Sequence, residues 1–157
     1  MIHSALRWLG LDPVMVVTVV SMIVAQAAKG ISASLRAHKL LLHRFVAAGG
    51  MPSSHSALVA ALVTGVGFSN GWTSGETSVA IVVALLAMWD AMTVRHAVGQ
   101  QARALNALMS RLDSDPLRLE AERVSTETLR ELEGHTPLQV MAGAAVGIMV
   151  AFAVFVI

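Results

Sequence analysis

Four long apolar segments run through this chain, at residues 13–28, 52–68, 77–94 and 137–157, and Asp90 is the one acidic or basic side chain well inside them. A helix needs about 20 residues to cross the hydrocarbon core of a bilayer, and roughly 17 can suffice. Within hydrocarbon the backbone must satisfy its own hydrogen bonds, which leaves helices or closed barrels. These runs are continuous rather than alternating, so helices are expected. The expected fold is all-α: a polytopic membrane helix bundle with about four transmembrane helices, residues 1–157 forming a single integral membrane domain. The first two segments are short, and residues 9–12 or 69–72 would extend them. Composition agrees, since 13% of the residues are charged, about half the share in soluble domains. Gly143 and Gly147, at GxxxG spacing, would let another helix come close to the fourth segment.

Loop charges orient the bundle. Lys29, Arg36, Lys39 and Arg44 separate the first and second segments, and Arg95, Arg103, Arg111, Arg118, Arg123 and Arg130 separate the third and fourth. Residues 69–76 contain no lysine or arginine. The positive-inside rule then puts both long loops in the cytoplasm and both termini outside. Ala102, Leu105, Leu108, Met109 and Leu112 recur near helical spacing and predict a cytoplasmic amphipathic helix. Asp113-Ser114-Asp115-Pro116 should end it, with a second, charged helix over residues 117–132. Tyrosine is absent, so Trp8, Trp72 and Trp89 supply the interfacial aromatics.

Some classes fall away. With no cysteine there is no disulfide framework, thiolate metal site or cysteine nucleophile. A formal charge of +1 does not suit a strongly basic nucleic-acid binder, so no nucleic-acid partner is expected. Arg7 precedes an apolar stretch that lacks a small-residue cleavage site, and no removable signal peptide is expected.

The polar residues point to one layer. In the sequence Gly49-Gly50-Met51-Pro52-Ser53-Ser54-His55-Ser56-Ala57, proline suits a first helical turn and the serines can cap backbone donors or hold an anion. His55 then stands at a positive helix end, where imidazole can do acid–base or nucleophilic work on phosphate. Glu133-Gly134-His135-Thr136-Pro137 combines histidine, hydroxyl and proline again, before the fourth segment. With this topology the first and third segments end where the second and fourth begin. Lys29, His55, Asp90, Arg95 and His135 therefore share one depth and describe an anion pocket with acid–base capacity. Asp90 in an apolar run is either a functional group or half of a structural ion pair. His3, His38 and His43 lack supporting context and read as surface residues. Metal binding through Asp90, His55, His135 and Glu131 has no close ligand spacing behind it, so no metal and no cofactor is expected.

These residues resemble the divergent branch of the type-two phosphatidic acid phosphatase superfamily, the acid phosphatase/vanadium-dependent haloperoxidase-related membrane family. The resemblance spans most of the chain. It rests on Ala25-Gln26 with Lys29, the motif at residues 49–57, Asp90-Ala91 with Val94-Arg95, Gly99 with Gln101-Ala102 and Asn106, then Glu131, Gly134-His135 and Pro137. In the wider superfamily a Pro-Ser-Gly-His motif supplies an acid histidine and a later histidine attacks phosphorus. The resemblance thus implies His55 as general acid and His135 as nucleophile. It makes Ser53 and Ser54 phosphate ligands, Lys29 and Arg95 neutralising cations, and Glu131 a further residue of the site. Gln139 stands where the superfamily has aspartate; its carbonyl oxygen can hold an imidazole but brings no charge, so Asp90 would supply the carboxylate. Ser54 replaces its glycine.

The expected activity is hydrolysis of a lipid phosphate monoester or diphosphate, of the phosphatidylglycerophosphate or polyprenyl phosphate type, at the cytoplasmic face of a bacterial plasma (inner) membrane. Membrane lipids are the expected surroundings, and self-association into a homo-oligomer stays open. The rival expectations are a metal-dependent lipid phosphotransferase using Asp90 and Glu131, a non-catalytic lipid-phosphate binder, and a structural or transport protein.

Overall fold

The computed structural model describes residues 2–45, 50–113 and 134–157. Among them every regular element is helical: α1 (Ile2–Trp8), α2 (Pro13–Ala37), a 3-10 turn (Leu42–Phe45), α3 (Ser54–Asn70), α4 (Gly75–Met92), α5 (Val94–Asp113) and α6 (Pro137–Val156). Three stretches are long and apolar enough to cross a membrane: Pro13–Ala37, Gly75–Leu108 and Pro137–Val156. α3 has 17 residues, at the lower end of a spanning length. It is also the most enclosed helix, packed against α6, α2 and α4.

The interior is built from small residues. Ala57, Ala60, Ala61, Ala151 and Val17 are buried, whereas Met15, Val79, Leu85, Leu86, Met141 and Met149 are exposed. A water-soluble bundle would hide the larger side chains. Here they face outward, where lipid would meet them, and the small residues let helices approach. Gly143 and Gly147 show how close. A Cβ on the first would collide with the backbone carbonyl of Ser53, and one on the second with that of Ala57. Those pairings ascend together, so α3 and α6 run parallel and their N-termini share one end. α2 runs the other way, with Val17 beside Gly65 and Lys29 beside Gly50. Buried Ser21 and Thr64 are satisfied on their own helices, the Thr64 hydroxyl donating to the Ala60 carbonyl at 2.8 Å.

Several boundaries differ from expectation. α2 is not extended toward residue 9: Gly10 adopts φ 75°, and the Asp12 carboxylate accepts from the Val14 N–H to cap the helix at Pro13. It continues instead past Lys29 to Ala37, roughly 12 Å beyond that lysine at helical rise. The added turns are rich in Ser, Ala, Leu and Arg, which propagate a helix without making it apolar. A short α1 precedes it, and His3 stacks on Phe155 with ring centroids 5.8 Å apart, so it is not the isolated surface residue expected. The amphipathic helix is present as α5, and the charged helix expected over residues 117–132 lies outside the described residues.

Candidate active site at the helix entrances

α3 begins two residues later than the motif suggests. Pro52 precedes the N-cap instead of occupying the first turn, and Ser53 is the cap. Ser53 is fully buried. Its hydroxyl accepts from the Ser56 N–H at 3.3 Å and from the Ser56 hydroxyl at 3.0 Å. Of the two uses open to Ser53, the structure shows the cap. Ser54 takes the first helical position and is buried, and His55 takes the second and is exposed.

The α6 entrance is closed on itself. The Thr136 hydroxyl accepts from the Gln139 N–H, while Gln139 Oε1 accepts from the Thr136 N–H at 3.0 Å, a complete capping box. Pro137 has no N–H, so Thr136, Pro137 and Gln139 have no backbone donor left for an anion. Gln139 also has its side-chain oxygen committed, where the sequence suggested a partner for an imidazole. His135 sits just before this cap and is 4% exposed.

Backbone bonds tie these entrances together. Ser53 donates its N–H to the Gln139 carbonyl at 3.1 Å, and His135 donates its N–H to the Ala91 carbonyl at 3.0 Å. The second bond brings His135 to the end of α4, next in sequence to the half-buried Asp90. The rings of His55 and His135 meet edge to face, centroids 6.4 Å apart, within the range of an interacting aromatic pair. Lys29 lies in the same layer. It is 4% exposed, its Nζ donates to Gln26 Oε1 at 3.0 Å, and its stem lies 3.4 Å from where a Gly50 Cβ would be. Gly50 has φ 85°, a backbone that disfavours any side chain there.

A cavity of about 490 Å³ opens beside this cluster, bounded by Met22, Ile23, Gln26 and Ala27 of α2, Ser54 and His55 of α3, and Phe45. Its polar groups stand at one end and its aliphatic wall runs along α2, which suits a molecule with a polar head and an apolar body. Arg95 lies in the first turn of α5, by backbone position, and Glu131 lies outside the described residues. Among the described residues no three His, Asp or Glu side chains are grouped to hold a metal. The structure thus brings together Lys29, Ser53, Ser54, His55 and His135, with Asp90 alongside. Phe45 was not anticipated. An aromatic ring in a basic loop carries no sequence signal that it folds back to wall a cavity.

A family model described as Divergent PAP2 family matches residues 11–150, and the chain belongs to that family. It is 39% identical over 106 residues to the uncharacterized membrane protein YuiD of Bacillus subtilis (strain 168), an alignment covering 64% of this chain and 67% of YuiD. No solved structure matches. Together with the apolar spans, these findings make the chain an integral membrane protein.

Proposed function

We propose that the protein crosses the membrane four times, α3 included, and hydrolyses a lipid phosphate monoester or diphosphate at the entrances of α3 and α6. The observation that carries the proposal is the contact between the His55 and His135 rings in a layer that also holds Lys29. His135 is the nucleophile, and its imidazole attacks phosphorus. As the bond to the lipid oxygen breaks, His55, facing the cavity, gives that oxygen a proton. Neutral His55 then takes a proton from water as it attacks the phosphohistidine, which releases phosphate and restores His135. Lys29, Arg95 and the α3 end stabilise the charge on the transferring group. The substrate is of the phosphatidylglycerophosphate or polyprenyl phosphate type.

The test is phosphate release from a panel of these lipids and phosphatidate by purified protein in detergent, with and without chelator. Release from at least one, unaffected by chelator, is expected. A folded protein that releases none would leave the alternative of a lipid-phosphate binder without turnover, which the capping role of Gln139 favours. Orientation is tested separately. Cysteines at Arg36 and Arg118 should resist an impermeant thiol reagent in intact cells, while one at Ser74 should label. The reverse pattern would put the site on the outer face.

A further inference from the structure

Beyond Lys29 the chain builds a second polar surface that the histidine site does not use. Residues 30–37 of α2 rise past the α3 entrance, and the chain then turns back. The turn is held in place. His38 adopts φ 49° and donates its N–H to the Leu35 carbonyl, Lys39 donates to the Ser34 carbonyl at 3.2 Å, and Leu41 donates to the Ser34 hydroxyl at 3.1 Å. The 3-10 turn then folds onto α2, where the Phe45 ring fills the space a side chain at Gly30 would need.

This fold leaves an open groove of about 400 Å³ with a mixed lining: Leu35, Leu40 and Phe45 are apolar, and Ser34, His38 and Lys39 are polar. Arg36 and Arg44 are exposed on the same collar. The sequence has no acidic residue between Asp12 and Glu76, so none of its near neighbours in the chain offsets this charge. Leu35, Leu40 and Leu42 are each about 70% exposed, which in water would be unfavourable but at a bilayer surface is not. Phe45 lines both this groove and the cavity that holds His55, so its ring is the wall between them.

We propose that the collar is a docking site for an anionic phospholipid of the surrounding bilayer, separate from the histidine site. Lys39, Arg36 and Arg44 meet the headgroup phosphate, and Leu35 and Leu40 meet the first carbons of its chains. Charge complementarity calls for an anionic partner. The flanking leucines favour a lipid over a free phosphate.

The test is native mass spectrometry of the full chain in detergent with phosphatidylglycerol or phosphatidylcholine. The intact protein should retain phosphatidylglycerol preferentially. A protein carrying Arg36→Gln, Lys39→Gln and Arg44→Gln should bind it on the order of a hundredfold more weakly, from roughly fivefold per cation near an anionic surface, with its melting temperature unchanged. Leu35→Ser with Leu40→Ser should also weaken retention. His55→Ala with His135→Ala should retain the lipid as the intact protein does, which keeps this outcome distinct from any result on phosphate release. Equal retention of both lipids, or an unaltered preference in the folded triple variant, overturns the proposal. So does displacement of the lipid by millimolar glycerol phosphate when the leucine variants bind normally.

Discussion

The entrances of α3 and α6 use the same kinds of residue in opposite order. At α3 proline comes first, then the capping serine, then histidine, so His55 lies inside the helix and faces the cavity. At α6 histidine comes first, then the capping threonine, then proline, so His135 lies outside its helix and is buried behind the cap. The α3 end keeps Ser54 beside the cavity, while the α6 end commits the Thr136 and Gln139 N–H groups to its own capping box. A cap is therefore a divider. A histidine on its far side is carried by the helix, and one on its near side is held by whatever the incoming chain packs against, here the end of α4.

This contrast is open to direct attack. The largest effect should come from the histidines: His55→Ala and His135→Ala should each lower turnover on a verified lipid phosphate about a thousandfold or more. Their stabilities should differ. His135→Ala should lose roughly 2–4 kcal/mol in detergent unfolding because it empties a buried site, and His55→Ala almost none. Near-normal turnover in both variants would remove the histidines from the chemistry.

Lys29→Met comes next. As a cation for the transferring phosphate, Lys29 should cost about a hundredfold in kcat when removed, with the melting temperature little changed. An active protein weakened by about 3–5 kcal/mol would instead make Lys29 part of the scaffold.

Gly143→Ala strikes the contact that holds the two entrances side by side. Its methyl would meet the Ser53 carbonyl, and roughly 1–3 kcal/mol should be lost, with turnover falling as the histidines separate. The smallest change is expected for Gln139→Leu. It breaks the capping box at about 1 kcal/mol and leaves turnover nearly intact. A large loss of turnover with stability preserved would show that Gln139 orients His135 after all.

Much of this arrangement was legible beforehand because hydrocarbon permits so few solutions. The apolar runs at residues 13–28, 52–68, 77–94 and 137–157 each seed one of the observed helices α2, α3, α4 and α6, and reading each run as one crossing makes alternate helices end where the others begin. Convergence of Lys29, His55 and His135 followed from that. Hydropathy could not see the length of α2, since residues 30–37 propagate a helix without apolar character. Nor could it see α1, which is seven residues long. The role of Gln139 was written in the chain as Thr136-Pro137-Leu138-Gln139, a capping-box spacing, but a glutamine near a histidine suggested a hydrogen bond between them instead. Phe45 was out of reach, because its position depends on a bare Gly30 several turns away.

The glycine seam has one more implication. Ser53 at the α3 cap and Ala57 within the helix are spaced by four residues, as are Gly143 and Gly147 on α6. A slip of one turn, about 5.4 Å, would therefore leave only one glycine opposite a carbonyl. At the other carbonyl it would set Gln139 or Ala151, where even a methyl collides. The seam works as a two-toothed key that turns in a single lock, and the bonds from Ser53 to Gln139 and from His135 to Ala91 close in that same position. A chain that skipped a tooth would lose its heat resistance and carry His135 away from His55 in one step.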